Sequence, residues 1–394
     1  MNHSYYRDTW VDIDLDAIAY NVEQMKARLP QEMELLAVVK ANGYGHGALQ
    51  VAQTALAAGA SRLAVAILDE ALALRASGVR APILVLSPIR AKDAALAADK
   101  RIAVTVFQEE WLREAADELS PEQPLSVHVA CDSGMGRIGV RDREMAQHVA
   151  AFLQNEHRFV VEGIFTHFAT ADQNDETYFD EQYNIFQTMV GWFRDFGIEP
   201  PLIHCGNSAA TLKFPRERRP LFTLVRYGVA MYGLSPSQDM KVWLPFNLRP
   251  ALSFYSNLFA VKKVAAGSFI GYGATYRAEQ DEWIGTVPVG YADGFLRAFS
   301  GSDVLIGSER CPIVGRICMD QFMCRLPHEY PIGTRVTLIG SDGEETITID
   351  ERAGQLRTIN YEVACQIHPR VPRVFIRKGR AIDCVNSILS EYSL

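Results

Sequence analysis

An α/β fold, a (β/α)8 TIM barrel N-terminal domain followed by a mostly β C-terminal domain, is predicted by two features. Eight short apolar runs alternate with helix-length segments over roughly residues 13–235, and eight βα units in that length match a closed barrel. Past Gly233 the helical periodicity fades, and β-type runs separated by Gly, Pro, Asp and Ser turns take over. An open doubly wound sheet is the structural alternative for the first part, but no GxGxxG follows its first strand. The linker is placed near Ser235–Leu248, giving a barrel domain of residues 1–240 and a β-rich domain of residues 241–394.

Each element has its own justification. Asp14 or Asp16 can cap a helix with Ile18, Val22, Met25 and Leu29 on one face, stopped by Pro30. The strand-like runs are Leu35–Val39, Leu63–Ile67, Ile83–Leu86, Ile102–Val106, Leu125–Ala130, Val160–Phe165, Leu202–Cys205 and Phe222–Val225. They are apolar and nearly continuous, as expected of parallel strands buried on both faces. Helix-length segments lie between most of them: 48–58, Asp69–Ser77, Glu109–Leu119, Arg143–Asn155 and Tyr178–Phe196. In the second domain the β-type runs are Ala251–Val264, Trp283–Val289, Asp303–Ile306, Pro312–Cys318, Arg335–Ile339 and Thr346–Ile349.

Composition narrows the function classes. The chain has 394 residues, 48% hydrophobic and 22% charged, and belongs with ordinary globular proteins. A formal charge of −8 without a basic run speaks against nucleic acid. Seven cysteines without paired spacing fit a reducing cytoplasm better than a disulfide framework. No CxxC or HExxH pattern supports a metal. The N-terminus lacks the pattern of a signal peptide, and no apolar stretch has the length of a membrane span.

Chemistry collects at the strand exits, where barrels place their sites. The first strand ends on Lys40 and passes into Asn42-Gly43-Tyr44-Gly45-His46-Gly47. A lysine there is either a charge reaching for the rim or a partly desolvated amine able to form a Schiff base. The alternating glycines favour the second, because such a loop can wrap a phosphate. Later strands deliver Arg137 in Asp132-Ser133-Gly134-Met135-Gly136-Arg137, then His167, then His204 with Asn207 and Ser208, and finally Arg226 before Gly228 and Val229. Ser208 and the amides of Gly228 and Val229 suit a phosphate. Lys40 suits an aldehyde. Pyridoxal 5′-phosphate carries both groups.

The segments VVKANGYGHG, DSGMGRIG, THFATAD, HCGNSAA, VRYGVAMYGLSP, GYGATYRA, VGYADG, GRICMDQ and TINYEV resemble those of bacterial alanine racemase, in the family's order, across about residues 10–375. The resemblance implies a fold-type III pyridoxal-phosphate isomerase. It implies that Lys40 holds the cofactor as an internal aldimine and acts as one base, and that Tyr272 is the base on the opposite face. Inversion needs both, since a planar deprotonated adduct must lose a proton on one side and gain it on the other. An ordinary phenol, with a pKa near ~10, is a weak base at neutral pH, and the resemblance supplies a cation through His167 linked to Arg226.

The resemblance further implies that Arg226 faces the pyridine nitrogen. Tyr44, Ser208, Gly228, Val229 and Tyr361 match phosphate-binding positions, and Asn207 lies near the ring. Tyr361 and Tyr291 narrow the entrance and favour a small substrate. Arg137 and the backbone of Met319 receive the substrate carboxylate. Tyr272, Tyr291 and Met319 lie in the β domain, which implies a homodimer with shared active sites. One position departs from the family: Ala130 stands where many members carry a lysine whose carbamate steadies the arginine, so a small anion or water is expected beside Arg137. The implied role is supply of D-alanine for cell-wall peptidoglycan, or alanine catabolism. A serine or broad-specificity racemase, a non-catalytic pyridoxal-phosphate carrier and a decarboxylase on a similar architecture are the alternatives. A carrier would end near residue 240 and lack Tyr272.

Overall fold

The structure, a computed structural model, describes residues 5–213 and 222–391. The first four residues of the N-terminus read for a signal lie outside it. The chain divides into two compact units: residues 17–43 with 48–249, and residues 1–16 with 44–47 and 250–394. Strands are numbered in chain order, and β1 (Thr9–Asp14) belongs to the second unit.

The first unit is a parallel eight-stranded sheet built from β2 (Glu34–Val38), β3 (Arg62–Val65), β4 (Ile83–Val85), β5 (Ile102–Val106), β6 (Leu125–Ala130), β7 (Phe159–Phe165), β8 (Leu202–His204) and β9 (Leu224–Tyr227). Strands β2 to β8 pair in sequence order, and β9 returns to pair with β2. The seam between β8 and β9 is bridged by Thr223 N–H donating to Ile203 O at 3.0 Å and Arg226 N–H to Gly206 O at 2.9 Å. The expected (β/α)8 barrel is thus found. All five residues of β5 are buried, as continuous apolar sequence requires. Each Val, Leu or Ile side chain so removed from water contributes about 1.5–3 kcal/mol.

The last barrel strand runs later than Phe222–Val225. Thr223 uses its hydroxyl to accept the Ile203 N–H at 2.9 Å and donate to Pro201 O at 3.1 Å, which delays the regular ladder. Arg226 therefore stands inside β9 rather than after it.

The second unit is a long mixed sheet whose order places β1 between β10 (Leu252–Asn257) and β20 (Arg373–Arg377). The run expected at Ala251–Val264 is two strands, β10 and β11 (Ala260–Val264). It breaks where Leu258 N–H turns to Thr334 O and Phe259 N–H to Thr286 O. The segment Tyr44–Gly47 is held in this unit: Arg373 Nε donates to Gly45 O at 3.1 Å, and a Cβ on Gly45 would meet Ala364 O at 2.3 Å. Among the described residues no helix is long and apolar enough to cross a membrane.

Candidate active site

Lys40 follows β2 directly, and the backbone after it is unusual. Ala41 (φ 52°, ψ 50°), Asn42 (φ 52°, ψ 46°) and Gly43 (φ 62°, ψ 45°) form a left-handed turn, continued by Tyr44 at φ 50°. For non-glycine residues each such conformation costs roughly 1–2 kcal/mol, so the surroundings must hold it. They do so with hydrogen bonds. Gly43 N–H donates to Val39 O at 2.9 Å, Ala48 N–H to Asn42 Oδ1 at 3.0 Å, and Ala41 N–H to Glu70 Oε1 at 2.6 Å. The Tyr232 hydroxyl fixes the strand end itself, donating to Val38 O at 2.9 Å.

Arg226 is the electrostatic centre of the barrel unit. It is 3% exposed, and it forms no ion pair with a carboxylate among the described residues. Both terminal nitrogens are committed. Nη1 donates to His204 Nδ1 at 2.8 Å and to His204 O at 3.2 Å. Nη2 reaches Thr166 O at 2.8 Å, His167 Nδ1 at 3.3 Å and Cys205 O at 3.4 Å. Its Nε–H donates to no described residue. Burial lowers the guanidinium to about 10, still charged at neutral pH.

That charge dictates the protonation of its neighbours. Burial, followed by Arg226, Arg137 and Lys40, pushes His167 down to about 3, so its imidazole is neutral. His204 is held well below its ordinary value by burial and Arg226. With Nδ1 of each ring accepting from Arg226, the protons reside on Nε2. His204 Nε2 in turn lies 2.9 Å from His128 Nδ1, and His128 Nε2 faces Glu162 at 3.7 Å. Room for the His128 ring comes from Gly163, where a Cβ would stand 2.3 Å from Nδ1.

The expected phosphate positions of the barrel also converge. Ser208 Oγ accepts the Gly228 N–H at 2.9 Å and the Ala230 N–H at 3.4 Å. The buried Val229 donates its N–H to no described residue. Asn207 Oδ1 accepts the Ala210 N–H at 2.9 Å, which starts the Ser208–Lys213 helix beside that cluster. Arg137 is exposed on a turn organised by Asp132, whose Oδ1 accepts from Gly134 and Gly136 at 3.2 and 2.9 Å.

In the β unit, Tyr44 is buried with its ring 6.1 Å from that of Tyr361. Burial, then Tyr361, raises the Tyr44 phenol, so it is a neutral donor. Tyr291 and Met319 are brought together: Tyr291 N–H donates to Cys318 O, and Ala292 N–H to Met319 O, both at 3.1 Å. Asp293, fully buried, anchors their turn by accepting from Gly290 N–H at 2.9 Å and pairing with Arg7 at 2.7 Å and Arg370 at 2.9 Å. Tyr272 stands apart, 71% exposed on a turn with Gly271 at φ 75° and Gly273 at φ 72°. Its hydroxyl bonds to no other candidate among the described residues.

Residues 13–236 match the family model described as alanine racemase, N-terminal domain, and residues 251–375 match the alanine racemase C-terminal domain. The chain belongs to the alanine racemase family. It is 53% identical over 386 residues to the alanine racemase of Geobacillus stearothermophilus, covering 98% of each chain. It is 49% identical over 385 residues to alanine racemase 1 of Bacillus subtilis, covering 98% of this chain and 97% of that one. The crystal structure of alanine racemase from Bacillus anthracis with bound L-Ala-P superposes with a TM-score of 0.95 at 49% identity, covering 98% of this chain and 99% of that one. The chain is therefore an amino-acid racemase, an isomerase. The C-terminal match disfavours the carrier alternative, whose chain would stop near residue 240.

Glu70, Asp293, His128 and Glu162 support the site residues and went unnoticed in the sequence. Glu70 carried one signal, an acidic residue in the first turn of a helix, which marks the cap but not its reach to Ala41.

Proposed function

We propose that the chain interconverts L-alanine and D-alanine with pyridoxal 5′-phosphate held covalently on Lys40, by a two-base mechanism using Lys40 and Tyr272. The observation that carries this is Arg226. Its Nη atoms are fully engaged by carbonyls and neutral imidazoles, leaving Nε–H as a donor suited to an unprotonated pyridine nitrogen. The remaining donors fit the same cofactor. The Ser208 hydroxyl and the amides of Gly228 and Val229 suit its phosphate, with Tyr44 and Tyr361 as further phosphate donors and Asn207 beside the ring.

When bound, the cofactor supplies an electron sink that acidifies the substrate Cα–H. Lys40 Nζ exchanges that proton on one face, and the Tyr272 hydroxyl on the other. Arg226 keeps its proton at neutral pH, so it would leave the ring nitrogen of the bound cofactor unprotonated and would limit the electron withdrawal the cofactor supplies. His167, neutral and hydrogen-bonded to Arg226, relays the influence of the guanidinium toward Tyr272. Arg137 and the Met319 backbone N–H orient the substrate carboxylate, and Tyr291 and Tyr361 exclude larger side chains. Tyr272, Tyr291 and Met319 are supplied by the other subunit of a homodimer. The exposure of Tyr272 supports that arrangement, since a catalytic phenol 71% open to water has no desolvated surroundings within its own unit. The dispersed, odd set of cysteines supports a cytoplasmic location, where D-alanine feeds peptidoglycan.

The test is an absorbance spectrum of the protein loaded with pyridoxal phosphate, with chiral analysis of L-alanine after incubation. Equal amounts of both enantiomers support the proposal. A cofactor band with unchanged L-alanine contradicts it.

A further inference from the structure

The carboxylate of Glu70 lies between two barrel exits. Oε1 accepts the N–H of Ala41, the residue immediately after Lys40, at 2.6 Å. Oε2 accepts the N–H of Ala66 at 2.8 Å and of Ile67 at 3.3 Å, closing a capping interaction on the helix Leu68–Ala76. One oxygen therefore caps a helix, while the other grips the left-handed turn that carries Lys40. A helix cap alone needs only the second set. The first set joins the exit of β2 to the exit of β3, at the start of a run in which Ala41, Asn42, Gly43 and Tyr44 all take positive φ.

We propose that Glu70 is a positioning residue for Lys40: its carboxylate locks the strained turn so that Nζ is held at one fixed point for imine formation and proton exchange. This rests on the assignment of Lys40 as the cofactor lysine. The left-handed turn gives Ala41 N–H no partner of its own within the turn, and a carboxylate is the strongest acceptor for it. Glutamine serves a helix cap as well as glutamate does, but it has a single acceptor oxygen. In Glu70→Gln that oxygen can satisfy Ala66 and Ile67 while the amide NH2 is turned against the Ala41 N–H. The substitution thus separates capping from positioning.

The experiment compares wild type, Glu70→Gln and, as a control on the same helix, Asp69→Asn, each as full-length holoenzyme. Four readouts are taken: thermal midpoint, amide hydrogen exchange of the peptide covering Ala41, borohydride trapping of pyridoxal phosphate with peptide mapping, and kcat with KM for L-alanine. In Glu70→Gln we expect a thermal midpoint within about 2 °C, exchange at Ala41 at least tenfold faster, trapping at Lys40 at least fivefold slower, and kcat about tenfold lower with KM within twofold. Asp69→Asn should match wild type in all four. Trapping and exchange at wild-type rates in Glu70→Gln would overturn the inference. So would a kcat loss that appears only together with a large fall in thermal midpoint. Trapping on a lysine other than Lys40 in wild type would instead sink the cofactor assignment, so the two failures are distinguishable.

Discussion

Nη1 of Arg226 lies 2.8 Å from Nδ1 of His204, with both side chains buried, and this contact orders the protons along a row of side chains inside the barrel. Arginine only donates. His204 must therefore accept at Nδ1 and present Nε2–H to His128, which lies 2.9 Å away. The row can hold one charge, that of Arg226, only if every imidazole in it stays neutral.

Acid should therefore destabilise the barrel. His128, His167 and His204 all have folded-state values depressed chiefly by burial, to about 3 for His167. Their unfolded counterparts titrate near ~6.5. A depressed histidine gives its full stability above ~6.5, and loses it as pH falls below that toward the folded value, because the unfolded state takes up the proton first. Each contributes a slope of up to about 1.4 kcal/mol per pH unit in that window. Urea midpoints should fall between pH 7 and pH 5, and His204→Asn should flatten the dependence. A midpoint insensitive to pH in this range would contradict the neutral row.

Replacing Arg226 with Glu should increase the share of turnovers that end in transamination. If Arg226 faces the ring nitrogen of the bound cofactor, as proposed, a carboxyl group in its place would favour a protonated nitrogen, and the cofactor would then supply a stronger electron sink. Pyruvate formed per alanine racemised is the measure. No rise would remove the explanation offered for an arginine at this place.

Gly163→Ala should destabilise the barrel by about 1–3 kcal/mol, the usual range for overpacking a filled core. The added carbon would stand 2.3 Å from His128 Nδ1, the atom that faces His204. Chemical denaturation measures the loss, and histidine nitrogen NMR should show the His128–His204 contact broken.

At Ala130, buried at the end of β6, the chain lacks the lysine whose carbamate the resemblance implies for many members of the family. We expect chloride or water beside Arg137 in its place. Crystals grown in bromide should show anomalous density there, or an ordered water; a protein carboxylate at that point would contradict the expectation.

The barrel was legible in the sequence because its strands are short, apolar and evenly spaced; β5 and β6 run over the residues expected of them. The strand β1 was not. Its alternating burial over Thr9–Asp14 is a β signal, but Asp14 and Asp16 read more readily as the cap of the helix that follows. Strands β20 and β21 (Arg380–Val385) were missed because charged residues interrupt them, and their stability comes from pairing, of β20 with β1 and of β21 with β20, rather than from local pattern. Site residues on strand exits were accessible through their chemistry. Glu70 and Asp293 were not, since the Ala41 N–H that Glu70 accepts and the Arg7 and Arg370 side chains that pair with Asp293 reach them only in the folded chain.

The claim on which the mechanism turns is that Lys40 and Tyr272 exchange protons on opposite faces of the substrate. Tyr272→Phe, loaded with pyridoxal phosphate and given L-alanine or D-alanine in deuterium oxide, tests it directly by mass and chirality together. Deuterium entering the Cα position of one enantiomer only, when L- and D-alanine are supplied separately, with D-alanine formation from L-alanine at least a hundredfold below wild type, is the predicted result. D-Alanine appearing at the wild-type rate would contradict the two-base account.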